Sequence, residues 1–289
     1  MICVFDVESI PDFHLLARQF GYEGDALEII KSAFEAQMQK SGSEFLPPCF
    51  HRIVSIASVV CDEYGHFIKV GHFGQKFIDS LSSQSDFLSL DFLDHLESTL
   101  LHEFWSFFNQ KQPKLVSFNG RGFDLIALTL RAMRYNISAY GYFEQDNPAF
   151  NKNKWENYRQ RYAERFHTDL LDALGAFGAV RNLNLDSVCQ MLNLVGKYDM
   201  SGDQVHRLYL GSEDKKQALM TINHYCHSDV LNTYWLYLKY ELLKGELLES
   251  DYYTILQGFL EKLPSDKPYS DIFKSTIQAH LDSYTAKGH

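Results

Sequence analysis

The segment ICVFDVES, residues 2–9, is an apolar run that ends in two acids, Asp6 and Glu8. Residues two apart on a β-strand share a face, so a strand over 2–7 projects both carboxylates from its end in one direction. Two later stretches again set acids against dense apolar sequence. In LVSFNGRGFDLIAL, residues 115–128, an apolar run and an Asn119-Gly120 turn place Asp124 near the start of a helix that continues through Leu130 and Met133. In INHYCHSDVLNTYWLY, residues 222–237, Tyr225 and Asp229 are four apart, so a helix presents a phenol and a carboxylate side by side.

Singly, each feature has an ordinary explanation. Asp124 suits the first turn of any helix, and the other pairs suit a solvated strand end or an amphipathic surface. Jointly they point to one cleft holding four carboxylates. Such a cluster is costly unless cations neutralise it, because close like charges repel and raise each other's pKa. Oxygen donors suit Mg²⁺ or Mn²⁺, whereas zinc more often recruits His or Cys, and no close His/Cys pair is evident beside these acids. Two such ions about 3.5–4 Å apart clamp the attacking and leaving oxygens of a phosphoryl displacement. The Tyr225 phenol is placed to orient the attacking water.

FDVES (5–9), FNGRGFDLIALTLRA (118–132) and YCHSDVLNTYWLY (225–237) resemble the three exonuclease motifs of the DEDD superfamily, in its tyrosine-bearing DEDDy subgroup. The likeness narrows to the predicted 3′-5′ exonucleases related to the proofreading domain of family B DNA polymerases. FDVESIPD (5–12), HTDLLDAL (167–174) and GKYDMSGDQV (196–205) match further segments of that family, and the resemblance covers roughly the first 245 residues. Ser9 stands where the family more often has threonine. The resemblance implies an α/β, ribonuclease H-like fold, a mixed five-stranded sheet flanked by helices. It also implies two divalent ions, Mg²⁺ or Mn²⁺. Asp6 would bridge both, Glu8 and Asp229 would complete the site whose ion activates water, Asp124 would hold the second ion through waters, and Tyr225 would position the nucleophile.

Other positions carry paired readings. Asn119 and Gly120 either approach the terminal nucleotide or simply make a good turn. Phe123 either wedges against a base or belongs to the core. Asp169 and Asp172 either support the metal shell, a role that falls first to Asp169, or cap the following helix. Lys197 either contacts a phosphate or is an ordinary loop lysine. The stretch NKNKWENYRQRYAER, residues 151–165, interleaves Lys152, Lys154, Arg159, Arg161 and Arg165 with Trp155, Tyr158 and Tyr162. Either it touches a single strand, with basic groups on phosphates and rings on bases, or it is a solvated helix face with Tyr158 and Tyr162 packed inward.

Organisation follows from the same patterning. Residues 13–45 show helical spacing interrupted near Gly21 and Gly24, an expected helical insertion beside the site. Residues 52–61 and 67–73 read as a hairpin, and 91–109 as a helix. An exonuclease domain over 1–245 is expected, with a helical extension over 246–289 that either packs on the core or recruits a protein partner. The chain has 289 residues, 45% hydrophobic, and a net charge of -10, unlike a protein held on duplex DNA by bulk charge. Five scattered cysteines without CxxC spacing, and an N-terminus unlike a signal peptide, lead us to expect a soluble cytoplasmic protein with no membrane span. The expected activity is metal-dependent 3′-5′ exonucleolysis of single-stranded ends, DNA first. Two alternatives stay open: an RNA 3′-end trimming exoribonuclease, and a non-catalytic nucleic-acid-binding module.

Overall fold

The computed structural model describes residues 1–82, 85–180, 183–197 and 202–286. Its sheet runs β3-β2-β1-β4-β5, with β1 at Ile2–Pro11, β2 at His51–Cys61, β3 at Phe67–His72, β4 at Lys114–Ser117 and β5 at His167–Asp169. β1 to β3 form an antiparallel meander, and β4 and β5 add parallel strands on the other side of β1. This is a mixed five-stranded sheet, as the resemblance implied.

The helices are α1 (Phe13–Phe20), α2 (Ala26–Ser41), α3 (Gln75–Ser80), α4 (Leu90–Lys111), α5 (Asp124–Arg134), α6 (Tyr140–Phe143), α7 (Leu170–Leu174), α8 (Leu185–Met191), α9 (Val205–Gly211), α10 (Lys215–Lys244), α11 (Glu249–Lys262) and α12 (Ser270–Thr285). α1 and α2 are the insertion expected over 13–45. Gly21, left-handed at φ 71°, ends the first of them, and an Asp25/Glu28 capping box starts the second.

The alternation along β1 sets two cores. Cys3, Phe5 and Val7 face the one packed by α4 and α5, while Ile2 and Val4 face the one packed by α10, α11 and α12. Asp6 and Glu8 continue the Ile2/Val4 row, so both emerge on the face that α10 covers. A register shift between Glu8 and Ser9 breaks the β1/β2 ladder just beyond them, where a bulge re-aims the strand end.

One sequence alternative, the helix face over 151–165, gives way. Residues 151–165 contain no helix. Asn153 Oδ1 accepts the amides of Trp155 and Glu156, and the chain turns at that point. Lys152 is buried there, donating to Glu144 and the Gly141 carbonyl, and Tyr158 is buried against Phe108 and Phe166. α11 and α12 pack on the core through Tyr252, Phe259, Tyr269 and Phe273, all fully buried. No helix among the described residues is long and apolar enough to cross a membrane.

Behind the sheet lies a buried ionic network. Arg131 of α5 donates to Asp12 Oδ2 at 2.9 Å and through Nε to Glu97 Oε1 at 2.7 Å. Arg52 of β2 donates to Asp94 at 2.6 Å and bridges to Asp12 at 3.3 Å. Glu97 also accepts the Ile53 amide at 2.8 Å, stitching α4 to β2. Burial works to raise the Asp12 carboxyl, but Arg52 and Arg131 prevail and hold it below its ordinary value. The network ties the segment after β1 to α5, the helix that begins with Asp124. Arg131→Met should therefore lower stability by about 3–5 kcal/mol, because it leaves two buried carboxylates, Asp12 and Glu97, to share the Arg52 guanidinium. Asp94→Asn, at a site 31% exposed, should cost only about 1 kcal/mol. Urea unfolding of the two variants checks the difference.

Candidate active site

The end of β1, the residue just before α5 and the middle of α10 meet at one cleft of about 500 Å³. Asp6, Glu8, Tyr225 and Asp229 line it, together with Phe123. Asp124, the first residue of α5, is 5% exposed, and its charge reaches both Asp6 and Glu8. The structure thus brings together the four acids and the tyrosine singled out in the sequence.

The electrostatics are those of an anion cluster. Burial, then Asp124 and Asp229, push the Asp6 carboxyl well above its ordinary range; burial and the other three acids do the same to Glu8. Asp124 is raised by burial and by Asp169, and Asp229 is pushed up to about 7, chiefly by burial. Tyr225 donates its phenol to Asp229, and burial together with the Asp229 and Glu8 charges raises its pKa, which keeps it a donor. Among the described residues none of the four carboxylates forms an ion pair; Lys197, exposed, lowers Asp229 from a distance. An oxygen-only cluster of this charge fits hard divalent cations, with Asp6, Glu8, Asp124 and Asp229 as the groups that would hold them.

One close neighbour escaped the sequence reading. Cys226 Sγ approaches the Asp6 carbonyl at 3.5 Å and Asp6 Oδ2 at 3.8 Å, and ligand atoms of Asp6, Glu8 and Cys226 lie within 4.8 Å of one another. Burial and the three acids push this thiol well up, so it is a neutral donor to Asp6 rather than a soft thiolate ligand. Its position three residues before Asp229 was the available signal.

The remaining candidates fall around the rim. Asp169 accepts the amides of Asn119 at 2.9 Å and Arg121 at 2.8 Å, and also caps α7, so it fixes the turn that leads into Asp124. Asn119 is exposed and left-handed at φ 69°. Gly120 is buried beneath that turn, where a Cβ would lie 2.4 Å from Ser117 Oγ; packing explains this glycine. Lys197 lines a second recess beside Tyr225 and Asp229. Residues 198–201 of the GKYDMSGDQV segment lie outside the described residues.

Phe123 forms an aromatic wall with Phe45 and His51, its ring 5.4 Å from the first and 4.9 Å from the second. His51 Nε2 donates to the Leu46 carbonyl, which leaves Nδ1 to accept the Ser9 hydroxyl at 3.0 Å. Burial brings His51 down to about 4, so this tautomer is stable at neutral pH. Ser9, the departure from the family pattern, thereby orients a ring of the cleft wall. His206 and Arg207 of α9 form the opposite side, and nothing in the sequence pointed to them.

A family model described as a predicted 3′-5′ exonuclease related to the exonuclease domain of PolB matches residues 43–277. The chain belongs to this family. The matched span includes Asp124, Tyr225 and Asp229 and runs into α12, while Asp6 and Glu8 precede it. Among solved structures, the family B DNA polymerase of the hyperthermophilic archaeon Pyrobaculum calidifontis is similar at 16% identity and a TM-score of 0.45, over 94% of this chain and 27% of that one. This PolB-related chain therefore spans about a quarter of that polymerase's length. The comparison with curated proteins found no match.

The raised carboxyls set a pH dependence. A carboxyl whose folded pKa lies above its unfolded value stabilises the fold at low pH and loses that contribution as pH rises through the folded value. Without divalent ions, the melting temperature should fall as pH rises from about 4 to about 7, the window between the ordinary Asp value of 3.8 and the Asp229 value near 7. Mn²⁺ should raise it more at pH 8 than at pH 6. Thermal melts with EDTA or Mn²⁺ test this, and a metal-free melt flat across the window would contradict it.

Proposed function

We propose that the chain removes nucleoside monophosphates from the 3′ end of single-stranded nucleic acid, with DNA as the main substrate. The observation that carries this reading is the clustering of four carboxylates from three separate elements, with Asp6, Glu8 and Asp229 lining one cleft and Asp124 buried within reach of the first two, and no cationic side chain paired to them among the described residues. Two divalent ions held by Asp6, Glu8, Asp124 and Asp229 would supply charge neutralisation and an acidified water.

The protein's own groups account for the rest. Tyr225, anchored on Asp229, presents its phenol oxygen beside the carboxylates and orients the attacking water. The Cys226 thiol and the bulge after Glu8 hold the Asp6 and Glu8 carboxylates in register. Phe123, backed by Phe45 and His51, stacks on the terminal base, and a frayed single-stranded end fits such a wall better than a base held in a duplex. Lys197 and Arg207 lie on the rim, where they offer positive charge to departing phosphate. Asp169 acts indirectly, by fixing the Asn119–Gly122 turn. A cleft of about 500 Å³ is of the size that takes one nucleotide.

The test is a time course with Mn²⁺ or Mg²⁺ on matched 5′-labelled single-stranded DNA and RNA, with a 3′-phosphate-blocked control. A descending ladder that needs metal, stalls at the blocked end and runs faster on DNA is expected. Asp6→Ala should lose at least about a thousandfold in rate while keeping its fold, since removing an acid also relieves repulsion. Tyr225→Phe should slow turnover by about tenfold to a hundredfold and leave Mn²⁺ binding intact. Full activity in Asp6→Ala would sink the assignment, and faster trimming of RNA would reassign the polymer.

A further inference from the structure

On the far side of the Asn119–Gly122 turn from the cleft lies a second, open groove of about 600 Å³, lined by Asn119, Arg121, Tyr142, Phe143 and Arg159. It begins one residue from Phe123. Its floor holds a guanidinium in an unusual setting. Arg121 Nη1 donates to the Tyr158 carbonyl at 3.1 Å and Nη2 to the His167 carbonyl at 3.0 Å, while the buried Nε has no hydrogen-bond partner. Carbonyls fix the direction of this cation without cancelling its charge, and among the described residues Arg121 makes no ion pair.

The acids bordering the groove are already engaged. Asp169 accepts the amides of Asn119, Arg121, Leu171 and Asp172, and Asp172 is held by Arg161 at 2.5 and 3.1 Å. Arg159 is exposed, with its guanidinium 5.2 Å from the centre of the Phe143 ring. That ring is 48% exposed, an apolar platform open to solvent. In a chain of net charge -10, cationic groups and an open ring beside an acidic cleft form a local field and surface suited to a polyanion with flat bases.

Resting on the exonuclease reading, we propose that this groove binds the nucleotides immediately 5′ of the scissile phosphate. A strand whose last base stacks on Phe123 leaves the cleft over the Asn119–Gly122 turn. Arg121 and Arg159 then contact successive phosphodiester groups, and Phe143 stacks a base. The basic segment flagged in the sequence would act here through Arg159, whereas Lys152 and Arg161 are consumed internally by Glu144 and Asp172.

Arg159→Glu and Phe143→Ala change exposed side chains, so they separate binding from folding, and thermal melts confirm that each is intact. Anisotropy with EDTA present reads the binding of a 5′-labelled oligothymidylate of about a dozen nucleotides without turnover; hydrolysis with Mn²⁺ compares that oligomer with a thymidylyl dinucleotide. We expect Arg159→Glu to weaken binding of the long oligomer by about tenfold and to reduce the slope of log affinity against log salt by about one. Phe143→Ala should weaken it by about fivefold to tenfold. In both variants the loss in kcat/KM should be much larger for the long oligomer than for the dinucleotide. Wild-type affinity in both variants, equal losses on long and short substrates, or no binding by the wild type would overturn the groove. Arg159-dependent binding without hydrolysis of either substrate would instead sustain the groove and overturn the exonuclease reading.

Discussion

Mutual repulsion among Asp6, Glu8, Asp124 and Asp229 is the constraint around which the structure is arranged. Each of these carboxyls is pushed upward, first by burial and, for Asp6 and Glu8, then by its fellows. A flexible cleft would relieve that stress by letting the acids swing apart into water. Here they are mounted on a central strand, a helix start and the middle of a long helix, where separation would mean breaking the sheet or its packing. The energy needed to hold them is supplied by the two cores on either side of β1.

The scaffold distributes this load through buried polar contacts that never touch the cleft. Arg131 locks α5 to Asp12 and Glu97, so the helix beginning at Asp124 is anchored nearly two turns from its acid. Asp169 fixes the preceding turn through two backbone amides. His51 and His167 remain neutral because burial depresses them, and each uses a ring nitrogen to orient a hydroxyl, that of Ser9 and Ser117 respectively. A charged imidazole at His51 would lose the acceptor that the Ser9 hydroxyl uses.

What the sequence disclosed was set by the range of the interaction. The two-residue spacing of Asp6 and Glu8 and the four-residue spacing of Tyr225 and Asp229 are local periodicities, and the hairpin and α5 follow from neighbouring turn signals. The stitching between distant segments is different. Nothing local announces that Asp12, Arg52, Glu97 and Arg131 meet, or that Asp169 receives amides from residues 48 and 50 positions earlier. Residues 151–165 misled for a related reason. The spacing of Tyr158 and Tyr162 imitates a helix, yet Asn153 and Asn157 bind nearby backbone amides and turn the chain, leaving Tyr158 buried and Tyr162 exposed.

α10 explains why the buried acids and the rim residues sit on different kinds of structure. The helix is buried nearly all round from Ile222 to Leu238, so it shows little amphipathic patterning and cannot shift without disturbing both cores. Tyr225 and Asp229 inherit that rigidity. Phe45, Asn119, Arg159 and Lys197 lie instead on connections between elements, where sequence can vary without disturbing the acids. The same four-carboxylate centre can therefore be kept while the loops beside it are altered.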